Sequence, residues 1–409
     1  MSRRHLALPA GTLAASLAAT ALLAACGGGG GSSSSDHRIS VDAPEGLSAT
    51  PGNAEVTVEW DPVDDADSYN LYWAPAATGL DMENPGAGDA GWQPSVTSPH
   101  TVTELENHQN VVFVVTAVAE SRESEPSNEV TALPAPPLSG YSIETNDSTL
   151  DAGDYDMLGA SCGAQRIPVS GGLRVMNVDS DTRPGLHVQE SWPTQVNLGG
   201  GNIHNVWAIK ALNDSGSARE IRAYAICIEP PDDLETLSRE ITLAAGETRS
   251  ETLDCAESSG RVMLGAGVSH DTGSTSPNVR INSSEPAFAR NDRWSFRLAN
   301  DSAVTRTVTL HGFCALQPLG YRRGGSGGPF IDGGTYDHDR SSACNSILYD
   351  ENSVVLAGAH RGHDAYSASL RLEQSYPSDD GTRWRAGVFH TGSDRMPWYR
   401  SPLCAIREP

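Results

Sequence analysis

The sequence predicts an all-β protein, and three observations carry that prediction. Gly (41) and Pro (25) are frequent among the 409 residues, more than long helices accommodate. Short runs alternate apolar and polar side chains, as in Val56-Thr57-Val58-Glu59-Trp60 and Trp294-Ser295-Phe296-Arg297-Leu298; a period of two turns one face of a strand toward a core. Ser, Thr, Asn and Asp gather between those runs, as turns require. The length suffices for two or three domains with cores of their own.

Charge removes one class of partner. Asp and Glu number 52 against 28 Lys and Arg, a formal charge of -24, and no local basic patch offsets the repulsion of phosphate backbones, so nucleic-acid binding is excluded. Lys210 is the single lysine. An acidic, lysine-poor surface suits a salt-rich or calcium-rich exterior, and a genome that favours Arg codons accounts for it equally well.

The chain opens on a targeting segment. Arg3 and Arg4 precede an apolar run from Leu6 to Ala25, interrupted by Pro9 and Gly11, which reads as a signal peptide. The closing Leu23-Ala24-Ala25-Cys26 resembles the lipobox of bacterial lipoproteins. That resemblance implies cleavage after residue 25, acylation of Cys26 and attachment to the membrane of the cell envelope. Gly27 follows in place of the Asp that favours inner-membrane retention, which implies the outer membrane if the cell is Gram-negative. Residues 26–42, rich in Gly and Ser, form a flexible tether that spans about 20 Å. The exported part is more acidic than the whole, because Arg3 and Arg4 leave with residues 1–25.

Residues 43–134 carry period-two strands separated by turn signals, the pattern of a small β-sandwich. Val56, Val58 and Trp60 share one face, Tyr69, Leu71 and Trp73 another, and Phe113, Val115 and Ala117 a third. Ala43-Pro44-Glu45-Gly46-Leu47, Trp60-Asp61-Pro62, Tyr69-Asn70-Leu71-Tyr72 and Ser124-Glu125-Pro126-Ser127-Asn128-Glu129-Val130 follow in the order of a fibronectin type III domain, which this segment resembles throughout. The resemblance implies a spacer or interaction module. Val111 stands where the family carries its corner tyrosine, which removes a hydrogen bond of about 1 kcal/mol and leaves the fold. Asp61, Asp64, Asp65 and Asp67 lack the alternation of a calcium loop and read as a solvated turn.

Beyond residue 140 the chain repeats. Apart from Cys26 there are six cysteines: Cys162, Cys227, Cys255, Cys314, Cys344 and Cys404. An even set in an exported chain predicts disulfides, and six allow fifteen pairings. Repetition selects one. Trp207, Trp294 and Trp384 each stand 20 residues before a cysteine; upstream lie Ser191-Trp192-Pro193, Ser284-Glu285-Pro286 and Ser375-Tyr376-Pro377. Further upstream lie Ser170-Gly171-Gly172, Gly265-Ala266-Gly267 and Ala357-Gly358-Ala359. Four features in one order, three times, define units at 140–232, 238–320 and 335–409, with a Gly-rich linker at 321–334. The pairings are then Cys162 with Cys227, Cys255 with Cys314, and Cys344 with Cys404, each contributing about 4 kcal/mol by chain entropy. Each unit is a set of antiparallel strands, with the recurring Trp packed in the core against the disulfide. The units resemble cysteine-closed repeats of secreted bacterial proteins without assigned function, a likeness that implies no activity.

Catalytic motifs are weak. Gly324-Gly325-Ser326-Gly327-Gly328-Pro329 resembles the nucleophile segment of trypsin-like proteases, but Gly325 replaces their Asp and no histidine element precedes it, so it reads as linker. Asp337-His338-Asp339 and His360-Arg361-Gly362-His363-Asp364 have no counterparts in the first two units and read as loop polarity, as do Asp151, Asp154 and Asp156. No metal, cofactor or catalytic set is expected. Trp192 and Tyr376 are the one sign of glycan binding, as aromatic rings able to stack on sugars. The expected architecture is thus a fibronectin type III sandwich followed by three disulfide-closed antiparallel β repeats. The expected function is non-catalytic binding or adhesion to an extracellular polymer, glycan or envelope protein; a polysaccharide-active hydrolase or accessory module and a passive spacer are the alternatives.

Overall fold

A computed structural model describes residues 41–409, except 180–181, 257–259, 271–278, 288–289, 326–327, 342 and 363–368. Cys26 and the leader lie outside the described residues, as do Ser326, His363 and Asp364. Strands hold 57% of the protein and helix 2%, so the fold is all-β.

The first sandwich contains β1 (Ser48–Pro51), β2 (Val56–Glu59), β3 (Ser68–Pro75), β4 (Gly91–Val96), β5 (His100–Val102), β6 (Val111–Ala119), β7 (Arg122–Glu123) and β8 (Val130–Ala132). One sheet has the order β1-β2-β5; the other has β4-β3-β6-β7, with β8 also on β6. The inward residues of both sheets, among them Val56, Val58, Trp60, Leu71 and Phe113, form a core separate from the rest of the protein. Val111, in the corner position, is buried in that core.

Unit 1 supplies β9 (Ser142–Leu150), β10 (Tyr155–Gly163), β11 (Ile167–Val175), β12 (Leu186–Asn197), β13 (Ile203–Asn213) and β14 (Arg219–Ile228). Unit 2 supplies β15 (Glu235–Leu243), β16 (Thr248–Asp254), β17 (Arg261–His270), β18 (Val279–Pro286), β19 (Arg293–Asn300) and β20 (Arg306–Leu316). Unit 3 supplies β21 (Arg322–Arg323), β22 (Phe330–Ile331), β23 (Tyr336–Arg340), α1 (Cys344–Leu348), β24 (Ser353–Gly362), β25 (Leu370–Pro377), β26 (Trp384–His390) and β27 (Met396–Ile406). Disulfides Cys162–Cys227, Cys255–Cys314 and Cys344–Cys404 each lie within one unit.

The units do not stand as separate domains. The sheet β10-β13-β12-β17-β20-β15 joins half of unit 1 to half of unit 2, β16-β19-β18-β24-β27-β21 joins unit 2 to unit 3, and β23-β26-β25-β11-β14-β9 joins unit 3 back to unit 1. The chain therefore closes a ring with pseudo-threefold symmetry, and one continuous hydrophobic cluster runs through all three units. Each seam rests on a single described backbone bridge: Ser191 with Val268, Ser284 with His360, and Ser375 with Leu173.

The repeated sequence features explain why the seams are short. A bulge precedes each serine, at Val188/Glu190, Ile281/Ser283 and Leu372/Gln374, and a proline stands two residues after it with no N–H to extend the ladder. The bulge side chain reaches across instead: Asn282 Nδ2 donates to the Leu370 carbonyl at 2.8 Å, and Glu373 accepts from Arg183 Nε at 2.7 Å and from Gly185 N at 3.2 Å. Each serine Oγ accepts the indole N–H of its own unit's tryptophan, at 2.8 Å from Trp207 and Trp294 and 2.9 Å from Trp384. The small residues make room. A Cβ on Gly358 would lie 1.9 Å from the Trp384 ring, and one on Gly172 would lie 1.6 Å from the Ser375 carbonyl oxygen of the neighbouring unit.

One expected boundary changes. The Gly-rich stretch 321–334 is not a linker: β21 and β22 both pair with β27. Its glycines serve close approach, since a Cβ on Gly328 would meet the Trp398 carbonyl oxygen at 1.4 Å. Tyr321, at the start of this stretch, donates its hydroxyl to the Met263 carbonyl of unit 2 at 2.8 Å, as Tyr141 of unit 1 does to Val355 of unit 3 at 2.9 Å.

Gly172→Ala should accordingly lower the stability of the ring by about 3 kcal/mol or more, measured as a loss in urea midpoint. Gly216→Ala, with nothing near its Cβ, should change it by less than about 0.5 kcal/mol.

Candidate functional site

The two aromatic residues singled out for sugar stacking are not platforms. Trp192 is 9% exposed and Tyr376 4%. With Glu285 they occupy one structural position, the outer face of the strand at each seam, and each is matched to its neighbour. Tyr376 stacks on Tyr224 of unit 1 at 5.5 Å, lies under the Arg174 guanidinium at 5.5 Å, and shares a hydrogen bond of 3.2 Å with His338 Nε2. Glu285 lies 2.8 Å from Arg323 and 3.4 Å from Arg361 of unit 3. At the remaining seam, beside Trp192, Ser269 bonds His311 at 2.8 Å. Burial leaves no ring face for a ligand, so these residues specify seams.

The other polar candidates disperse. Asp337 accepts the Trp398 indole N–H at 2.7 Å, and His360 lies in the core at the second seam, away from His338. Asp156 bonds the Met157 amide at 2.7 Å, and the backbone oxygen of Asp151 accepts from Asn213 at 3.0 Å. No group of three His, Cys, Asp or Glu residues suited to a metal occurs among the described residues. Asp61 and Asp64 line an open recess of about 840 Å3 with Asp42 and Glu45 at one end of the first sandwich.

A site that motif reading missed lies on unit 1. A groove of about 520 Å3 runs along the outer face of β10 and β13, bounded by β9. Gly159, Val206 and Ala208 lie beneath it, Val206 and Ala208 themselves buried; the apolar surface open to a guest is that of Met157 and Leu198 at its margins, 51% and 62% exposed. Polar groups ring it: Asn146, Ser148, Ser161 hydrogen-bonded to His204 Nδ1 at 3.0 Å, and the carboxylates Glu144 and Asp147. Arg166 holds Glu144 at 2.9 Å, and Arg222 grips Asp147 through two bonds of 2.6 and 2.7 Å. The arginine bonds keep the Asp147 carboxyl below its ordinary range.

The groove breaks the threefold repeat. Val206 corresponds to Arg293 and Arg383, and Ala208 to Ser295 and Arg385, by their offsets from the repeated tryptophans. Unit 1 thus places small apolar groups where the scaffold elsewhere carries guanidinium or hydroxyl. The signal was present in β13, which is apolar on both phases: Trp207 and Ile209 inward, Val206 and Ala208 outward. The edge of β10 is closed to strand addition, because the Asn146 amide donates to the Gly159 carbonyl at 3.0 Å and Asp156 occupies the Met157 N–H.

No family model matches the chain. An amylopullulanase of Thermoanaerobacter thermohydrosulfuricus is 38% identical over 109 residues, which is 25% of this chain and 7% of that protein. The chain therefore spans well under two thirds of that relative. Among solved structures, the FN5 domain of Drosophila Lar covers 23% of this chain and 96% of its own at 19% identity and a TM-score of 0.20. A segment of two fibronectin type III domains from chicken tenascin covers 46% and 92% at 13% identity, also with a TM-score of 0.20.

Three buried imidazoles set the acid response. Burial lowers His187, His311 and His360 each from 6.5 to about 4, with Arg371 adding to the effect at His187. The unfolded chain then binds these protons first, so stability is complete above pH 6.5 and falls as pH drops toward 4. Glu285 and Glu373, whose carboxyls burial raises against the pull of neighbouring arginines, act in the opposite sense. The urea midpoint at pH 5 should therefore lie below that at pH 7.5; an equal or higher midpoint would contradict the assignment.

Proposed function

We propose that this chain is a cell-envelope lipoprotein, anchored through Cys26, that binds a neutral extracellular polysaccharide in the unit 1 groove without cleaving it. The observation that carries the reading is the groove itself, with exposed apolar Met157 and Leu198 at its margins and hydroxyl, amide, imidazole and carboxylate groups around it. Sugar rings present C–H faces and hydroxyl edges, and this lining offers contacts for both. The net charge of -24 disfavours acidic polymers, and the capped β10 edge disfavours an added peptide strand. The local identity with an amylopullulanase, a protein whose name refers to polysaccharide, supports the same class. Non-catalytic binding accords with Asp147: glycoside hydrolysis needs one carboxyl raised to act as acid, whereas the Arg222 bonds lower this one.

Residues 41–409 form one compact unit, and in affinity electrophoresis that unit should be retarded by neutral polysaccharides. Leu198→Asp and Met157→Asp, both at exposed positions, should weaken retention at least tenfold. Retention unaltered by these changes, or absent from every neutral polymer tried, rejects the groove as the site. Fed a labelled fatty acid, cells should incorporate label into the wild-type chain and not into Cys26→Ser; label persisting in the variant rejects the anchor.

A further inference from the structure

Where the three sheets meet, a cavity of about 40 Å3 is lined by Ser191, Ser284, Ser375 and His360, together with Ser170, two of the repeated tryptophans, glycines and aliphatic side chains. Its polar groups are specific in what they still lack. The Oγ atoms of Ser191, Ser284 and Ser375 each already accept an indole N–H, which leaves their own O–H groups to donate. His360 is fully buried, and its Nε2 has no hydrogen-bond partner among the described residues. The ring's other hydrogen bond, to the backbone of Ile281, favours the protonated form and is therefore one in which the ring donates. A neutral imidazole has one N–H, so Nε2 is left as an acceptor.

Comparison of the units shows that packing does not require this imidazole. The same position carries Leu173 in unit 1 and Val268 in unit 2, each at the corresponding seam bridge. An orphaned buried acceptor costs about 1 to 3 kcal/mol, so a third aliphatic residue would serve a dry cavity better. The cavity also exceeds the roughly 10 to 15 Å3 that one water needs. A guest must donate to Nε2 and accept from seryl O–H. An anion cannot donate to Nε2, and among the lining residues there is no carboxylate to hold a cation; water does both.

We propose that the axial cavity is a hydration site, in which one or two ordered waters donate to His360 Nε2 and accept from the hydroxyls of Ser191, Ser284 and Ser375, joining all three units through one hydrogen-bonded centre. It is independent of the surface groove. Two measurements on the unaltered protein decide it. A crystal structure at high resolution should place a water within hydrogen-bond distance of Nε2 and at least one of the three serines, and crystals pressurised with xenon should show none in this cavity, since dry apolar cavities take xenon and hydrated ones resist it. Xenon in the wild-type cavity, or well-ordered side chains around it without a water, would overturn the assignment. As a second check, the nitrogen resonance of Nε2 in labelled protein at pH 7 should be that of an unprotonated, hydrogen-bonded acceptor; a protonated Nε2, or one free of any bond, would count against it equally.

Discussion

Everything in the three-unit body depends on one serine per unit. Its backbone makes the only described bridge to the next unit, and its hydroxyl is held by a tryptophan of its own unit. The bulge before it and the proline after it keep the bridge from becoming a ladder, so adhesion between units falls to side chains and to the small residues over which strands cross. A Cβ at Gly172 or Gly358 would occupy space already held by a neighbouring carbonyl or an indole ring. That geometry explains why each unit needs a disulfide and yet cannot stand alone: half of each of its sheets is completed by a neighbour, and one core serves all three.

Such a ring poses a problem of order. Three units with the same strand plan could in principle pair with the wrong neighbour, or with another copy of the chain, wherever the seams were identical. They are not identical. One seam stacks Tyr376 on Tyr224, one sets Glu285 between Arg323 and Arg361, and one has Trp192 beside the Ser269–His311 bond. Placing Glu285 against the aromatic seam would leave a buried carboxylate beside Arg174, the counterpart of Arg361, but without Arg323, its closer partner at 2.8 Å, and would put it against the Tyr224 ring, a costly mismatch. The chemistry of the middle residue in Ser-x-Pro thus records which unit comes next.

That distinction marks the limit of what residue patterns reveal. The disulfide partners, the Trp-to-Cys spacing and the sandwich of residues 43–134 are legible because each is set within one unit by local alternation and fixed offsets. The seams are not, because they depend on residues far apart in the chain. Trp192 and Tyr376 vary between units and so resemble functional residues, when in fact they vary because their neighbours do. The stretch 321–334 misleads for a related reason: composition cannot separate a glycine kept for freedom from one kept for contact, and Gly328 is of the second kind.

The same logic applies beneath the groove. In a repeat, positions that serve the scaffold keep their chemistry or change with a structural partner, as the seam residues do. Val206 and Ala208 are of the second kind. Ala208 lies directly across from Trp192, as Ser295 does from Glu285 and Arg385 from Tyr376, and Val206 faces Ser161 where its counterpart Arg293 is ion-paired with Asp254. Exposed Met157 and Leu198 beside them keep apolar surface in water that burial would otherwise have stabilised. Exposed apolar side chains beside a recess ringed by hydroxyl, amide and carboxylate groups are the physical argument for assigning binding to unit 1 rather than to the ring as a whole.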